Sequence, residues 1–384
     1  MLDSIFTLIF FLFPILIFIL MERTGLSIFR LSIPSFVIIS MFVFSYVGIF
    51  PLYFGWDEYR LEFVQDKDIV LQIFLFSSYT ILSLVMGFFL GQQILPNYPS
   101  SLSYKFRTLK NSELFFISLL VIFIIAVLML YLSKIPETAL KVALFDGIAQ
   151  SKEARSNMGN NFPGKYHWYS LIIYDLVNVL TFILFAAWLT LKKKKILLLF
   201  VVTFSISAFT ALMATQKAPI VWLIIGLFIT YMFVKNDGWV PVKSTLVFLF
   251  FVIAILAIFY VYFMGSNDVG SALRSVFSRT FAGSIQPAYH YLEFFPEHQE
   301  FLMGKSLPNP GSILSFEPYR LTVEVMNWVH PNAKEGVVGS MPTIFWGELY
   351  ANFGIFGVIV LPLFVGIFLF VINFVLNKLE NTPI

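Results

Sequence analysis

The chain has no cysteine among its 384 residues. Disulfides and thiolate metal sites are therefore excluded, and the redox compartment is left open. Charge is scarce too. Asp, Glu, Lys and Arg together make up 12%, about half of the ~25% usual for a soluble domain. No polar stretch is long enough to be a soluble domain, and no nucleic-acid partner is expected. The four histidines, at 167, 290, 298 and 330, show no metal-ligand spacing such as H-E-x-x-H. No metal or other cofactor is expected. The N-terminus opens MLDSIF, with no basic flank and no small-residue cleavage site. It reads as a retained span rather than a signal peptide. There is no internal repeat of fixed period, and no earlier partner for the broken apolar stretch near 342–357 that inverted-repeat transporters would show.

What the chain has in abundance is apolar length. Hydrophobic residues make up 59%, with 47 Phe, and the mean hydropathy is +0.85. A helix needs about 20 mostly apolar residues to cross the hydrocarbon core. Such runs lie near 4–21, 31–50, 69–90, 114–133, 168–190, 196–214, 219–234, 245–264 and 355–377. The stretch 342–354 is apolar but carries Glu348 and Asn352. It is either a re-entrant half-helix or the start of a long bent final span. The expectation is an all-α polytopic protein, one integral membrane domain over 1–384.

Lys and Arg near span ends set orientation. One set of short loops holds Arg23, Arg30, Lys105, Arg107, Lys110, Lys192–Lys195, Lys235, Lys243 and Lys378. Assigning these to the cytoplasm places the N-terminus outside and the C-terminus inside. The outer loops are then 51–68, 134–167, 215–218 and 265–341. The first is acidic (Asp57, Glu58, Glu62, Asp66, Asp68), whereas 134–167 and 265–341 are rich in cations, Lys334 among them. Long loops cross regardless of charge, so the cations are either incidental or receive an anionic ligand at the membrane surface.

Five constellations carry chemistry. In Arg274–Phe295, the residues Arg279, Gly283, Gln286, His290 and Glu293 recur on one helical face. This predicts an amphipathic interfacial helix kinked at Pro287. Its polar face either meets water or turns Arg279 and His290 toward a phosphate, which suits the planar fork of Arg. Lys217, between two spans, either snorkels to the interface or stands as a fixed point charge. Glu348 and Asn352 share a face. A carboxylate buried there would suit a proton acceptor, or would hydrogen-bond another span. Gly354 and Gly357 suggest close helix approach. Asp175 with Asn178, inside the fifth span, reads first as a structural polar pair. The stretch 151–164, with Arg155 central, is a mobile lid or a solvated loop. Asp66-Lys67-Asp68 is a D-x-D, discounted in an acidic outer loop where no nucleotide is available.

The region from Arg279 to Gly357 resembles the bacterial O-antigen and oligosaccharide repeat-unit polymerases of the Wzy type. The residues that carry the likeness are SRTFAGSIQPAYHYLEFFP, then Gly304-Lys305-Ser306, then Met341-Pro342 leading into FWGELYANFGIFGVI, with Lys217 opening a span and Arg155 before the fifth. The paired R-x10-G signature of some members is absent. Eleven residues after Arg155, Arg274, Arg279 and Arg320 stand Tyr166, Ile285, His290 and Pro331. The resemblance implies a GT-C-like polytopic fold of about nine to eleven transmembrane helices, with short amphipathic helices in large extracytoplasmic loops. It implies a glycosyltransferase in the bacterial inner membrane. Growing glycan would move from undecaprenyl pyrophosphate onto a carrier-linked repeat unit, alongside a flippase and a chain-length regulator. On that view Arg279, Lys217, Arg155 and Arg274 hold the pyrophosphate, and Glu348 or His290 takes the acceptor proton. Tyr289, Tyr350, Asn352 and Trp346 meet the glycan. An O-antigen ligase, a lipid-linked oligosaccharide flippase and a structural subunit of an assembly complex are the competing readings.

Overall fold

The computed structural model describes residues 2–95, 109–159, 162–264, 268–309, 313–331 and 339–378. Lys105, Arg107 and Lys334 lie outside them. The described chain is helical. α1 (Leu2–Arg23) is followed by α2 (Ile33–Ser45) and the short α3 (Ile49–Tyr53). Ser32 caps α2, its hydroxyl accepting from the Ser35 N–H at 3.1 Å, and Pro34 sits in the first turn, where its missing N–H costs nothing. Asp66 caps α4 (Lys67–Ile94) by accepting from the Asp68 N–H at 2.7 Å. The D-x-D is thereby explained as helix-start chemistry.

α5 (Asn111–Leu132) leads through α6 (Ala139–Phe145) and α7 (Ile148–Met158) to α8 (Tyr166–Ser170). α8 runs through a π-helical turn, Leu171–Leu176, into α9 (Val177–Leu191). Then come α10 (Lys194–Met213), α11 (Lys217–Asn236), α12 (Val242–Met264), α13 (Val269–Thr280), α14 (Ala282–Phe294), α15 (Leu321–Val329) and α16 (Phe345–Lys378). Among the described residues nine helices are long and apolar enough to cross a membrane, at each of the nine places expected. Their outward residues are apolar: Phe116 is 61% exposed, Ile122 62% and Phe250 70%. In water each such side chain would forgo roughly 2 kcal/mol of burial; lipid removes that cost. The protein is an all-helical multi-pass membrane protein.

Two compact units divide the chain. Unit 1 comprises 1–100 and 277–378; unit 2 comprises 101–276 and 379–384. In unit 1, α4 and α16 pack through small residues. A Cβ on Gly87 would stand 2.4 Å from the Leu363 carbonyl oxygen, and one on Gly366 2.3 Å from that of Leu84. Only glycine allows backbones this close. Phe6, Phe10, Tyr46, Tyr53 and Phe74 form an aromatic cluster among α1, α2, α3 and α4. The stretch 342–354 is helical from Phe345 onward and meets the final span at a kink. α16 is two helical pieces that meet at Gly354, whose φ of 61° and ψ of −149° are non-helical and suit only glycine. A Cβ on Gly357 would meet the Leu349 carbonyl across that bend. Gly357 thus lets the two helical pieces approach closely, and Gly354 makes the kink and packs against the Phe301 ring.

The amphipathic helix is corrected. It is two helices, α13 and α14, parted at Phe281 (φ −101°, ψ −75°), and Pro287 lies within α14 without breaking it. Nor does α14 lie on a surface. Gln286 and His290 on its polar side and Ile285, Ala288 and Tyr291 on other sides are all buried.

In unit 2, α9 and α10 are tied by Ser207, whose hydroxyl donates to Asn178 Oδ1 and also lies 3.5 Å from Thr181 Oγ1. The expected lid within 151–164 is largely helix α7. Its C-terminal end is pinned where the buried Tyr131 hydroxyl donates to the Met158 carbonyl at 2.7 Å.

Candidate functional site

Unit 2 contains a cavity of about 380 Å³ at one end of its spans, within the size range of small-molecule sites. Four aromatic residues, Tyr131, Tyr166, Tyr174 and Trp222, supply walls. The polar lining includes Arg155, Asp175, Asn178 and Gln216. Tyr166, Ser170, Tyr174 and Asn178 recur every fourth residue, so the α8–α9 span presents one continuous stripe to the cavity. The lining thus runs from the turn before α11 well into a membrane-crossing helix.

Arg155 is placed by α7. Its Nη2 donates to Thr215 Oγ1 at 2.9 Å and to the Thr215 carbonyl at 3.3 Å. Thr215 can offer both because it turns back with φ 51° between α10 and α11. The Arg155 Nε is buried without a hydrogen-bond partner. Burial pushes the guanidinium pKa down, yet a guanidinium stays charged at physiological pH. The cavity therefore holds a fixed cation with donor capacity left over, which favours an anionic ligand.

Asp175 corrects the expectation of a structural pair. Asn178 is bonded to Ser207, but the Asp175 carboxylate has no hydrogen bond or ion pair to any described residue. It sits on the π-helical turn and is exposed into the cavity. Sequence reading saw the residue and missed its isolation, because the π-turn that aims it has no sequence signature.

Lys217 does not line the cavity. Its ammonium lies over the Tyr260 ring, 4.0 Å from the centroid, and donates to the Tyr260 hydroxyl. Arg274, also in unit 2, is exposed. The expected convergence of Arg155, Lys217 and Arg274 is therefore absent within this unit. Arg279 belongs to unit 1 and is likewise exposed.

Unit 1 holds a second polar cluster, built on Arg60, Gln286, His290 and Glu293. Arg60 Nη1 donates to Gln286 Oε1 at 2.6 Å. Guanidinium only donates, so the Gln286 amide must turn its Nε2 toward His290 Nε2, 3.4 Å away. His290 Nε2 is thus the acceptor, and its Nδ1 carries the proton toward Glu293 Oε2 at 3.2 Å. Burial first, and the charge of His330 second, lower the His290 pKa from 6.5 to about 4. Burial raises that of Glu293. Neutral His290, engaged at both ring nitrogens and 4% exposed, is poorly suited to take a substrate proton. Two further bonds stitch the loop before α4 to the same region. Ser278 Oγ donates to Asp57 Oδ1 at 3.0 Å, and the Asp66 N–H donates to the Tyr289 hydroxyl at 3.1 Å. Arg60 was overlooked in the sequence because its loop reads as acidic.

The residues expected to meet glycan are internal. Trp346 is fully buried, its indole N–H donating to Ser77 Oγ at 2.9 Å. The buried Tyr350 hydroxyl donates to the Phe295 carbonyl at 3.4 Å. Asn352 ties 304–306 to α16, accepting from the Gly304 and Ser306 N–H groups and donating to Ser306 Oγ and the Glu348 carbonyl. Glu348 is exposed rather than buried, its carboxylate accepting from Ser306 Oγ at 2.9 Å. Tyr166, at the start of α8, stands on a wall of the unit 2 cavity. Among the described residues no group of three His, Cys, Asp or Glu is placed to hold a metal ion.

No family model, no curated protein and no solved structure matches this chain. The class that the fold defines is the multi-pass helical membrane protein.

Proposed function

We propose that the chain is a membrane glycosyltransferase that polymerises surface polysaccharide. In this reading it moves a growing glycan from undecaprenyl pyrophosphate onto a carrier-linked repeat unit, at the outer face of the bacterial inner membrane. The observation that carries it is the unit 2 cavity: a fixed guanidinium, aromatic walls and side-chain amides at the mouth of membrane-crossing helices. A pyrophosphate needs a cation that keeps its charge where solvent thins out, and sugar rings need flat apolar faces with hydroxyl partners beside them. Stabilising the charge that grows on the leaving group is usually the largest catalytic contribution, and Arg155 is suited to that work. The basic short loops are assigned to the cytoplasm, which puts Arg155 and Thr215 outside.

The reading is tested by deleting the gene in its host and running surface glycan on a gel. A polymerase loss leaves core capped with a single repeat unit, and Arg155→Ala fails to restore the ladder while remaining folded in the membrane. A normal ladder from Arg155→Ala refutes the role of Arg155. One observation favours a second reading, the flippase: a carboxylate inside a span is a common element of proton-coupled transport. A flippase or ligase loss leaves bare core, so the same gel separates them.

A further inference from the structure

We infer that Asp175 is the proton acceptor of the transfer, with the acceptor sugar seated in the unit 2 cavity against Asp175 and Tyr174. The inference rests on the polymerase reading. Asp175 lies nine residues after Tyr166, where α8 begins, which is roughly 13 Å along the span. A carboxylate at that depth is costly unless it is paired or performs a function. Here the usual compensation is missing, although polar groups close by in sequence have it. Asn178 is bonded to Ser207 and Thr181 to the Val177 carbonyl. The helix therefore satisfies its structural polar groups and leaves this one acid open to the cavity.

The backbone gives an independent argument. Adjacent residues on a regular α-helix point about 100° apart, so one narrow cavity rarely receives both. The π-helical turn at Leu171–Leu176 widens the helix, and Tyr174 and Asp175 both line the cavity. Such turns are rare and concentrate at functional sites. Arg155 completes the arrangement with a cation at the mouth.

The step balances without a further reactant. The acceptor hydroxyl oxygen attacks C1 of the donor's first sugar, forming the new C–O bond. The bond from C1 to the pyrophosphate oxygen breaks, and its electron pair stays on the pyrophosphate, whose added negative charge faces Arg155. The hydroxyl proton passes to Asp175, which later releases it to water.

Asp175→Asn, Asp175→Glu and Arg155→Ala are expressed as full chains in the deletion strain and purified in detergent. Turnover, its pH profile and binding of a fluorescent polyprenyl pyrophosphate are measured for each. Asp175→Asn is expected to lower turnover by about 10²- to 10⁴-fold with the dissociation constant for the probe unchanged. Asp175→Glu is expected to recover part of the rate with a shifted pH profile. Arg155→Ala is expected to lose the probe. Turnover of Asp175→Asn within a few-fold of wild type overturns the inference. So does loss of probe binding in both Asp175 variants, because that marks a structural role. If the deletion itself leaves bare core rather than core with one repeat unit, the polymerase reading fails. A normal ladder from Asp175→Asn above a correct deletion phenotype sinks only the assignment of Asp175.

Discussion

The two polar clusters differ in one respect that matters more than their composition. Around His290 a run of hydrogen bonds leads from Arg60 through Gln286 to Glu293 and engages both nitrogens of the histidine ring. In the unit 2 cavity, the Asp175 carboxylate has no hydrogen bond or ion pair to any described residue. Buried polar groups cost stability unless they are hydrogen-bonded. A histidine bonded at both ring nitrogens is held as a structural group, whereas an acid that lines a cavity without a bond is open to a ligand. Residue type alone points the other way, since a histidine beside a glutamate is the more familiar sign of catalysis.

The sharpest way to break the comparison is to exchange the effects of the two clusters. Arg155→Ala should reduce polymer by more than about 100-fold, in line with loss of one charge-stabilising group, and lower the melting temperature in detergent only modestly through its two lost bonds to Thr215. His290→Ala should do the reverse. It leaves Gln286 and Glu293 without their buried partner and should cost about 1–3 kcal/mol of stability, with turnover per folded molecule retained. If His290→Ala kept its stability and lost turnover, the assignment of the two clusters would be inverted.

A pH titration sharpens the same contrast. The His290 pKa is lowered from 6.5 to about 4 in the folded chain. The unfolded chain therefore takes up this proton near pH 6.5 and the folded chain only near pH 4. Stability should fall as pH drops through that window, by up to roughly 3 kcal/mol. Glu293 opposes part of this loss, because burial raises its pKa and the folded state holds its proton more tightly. Thermal melts of wild type and His290→Gln between pH 7 and pH 4 check it, with the flatter profile expected for His290→Gln. Equal slopes would show that another group sets the dependence. The smallest effect is expected for Glu348→Gln. Its carboxylate is exposed and holds one hydroxyl, so turnover should change by less than a few-fold, as for surface changes in general. A loss matching Asp175→Asn would move the proton acceptor to unit 1.

The spans were legible because apolar length is a property of sequence alone, and each of the nine expected segments became a helix. Their ends were less so. Residues 345–353 form a helical piece of their own that meets the final span at Gly354, whose non-helical backbone makes the kink. The face of Arg279, Gln286 and His290 had the right period but the wrong continuity and setting. The break at Phe281 and the burial of α14 depend on tertiary packing that periodicity does not report. Arg155 stood out from its polar neighbours, and the fold gives it a cavity. Asp175 was judged by its neighbour Asn178, yet Asn178 is bonded to Ser207 while Asp175, on the π-turn, faces the cavity without a bond to a described residue. Trp346 and Tyr350 show the converse. Aromatic residues near a membrane surface resemble sugar platforms in sequence, and only their hydrogen bonds to Ser77 and Phe295 reveal core positions.

The most direct measurement is a structure of the full chain with a polyprenyl pyrophosphate bound. The account predicts the diphosphate within hydrogen-bond distance of Arg155, with open space for a sugar hydroxyl beside Asp175. A diphosphate held instead by Arg279 and groups of unit 1, with Arg155 still turned only to Thr215, would contradict it.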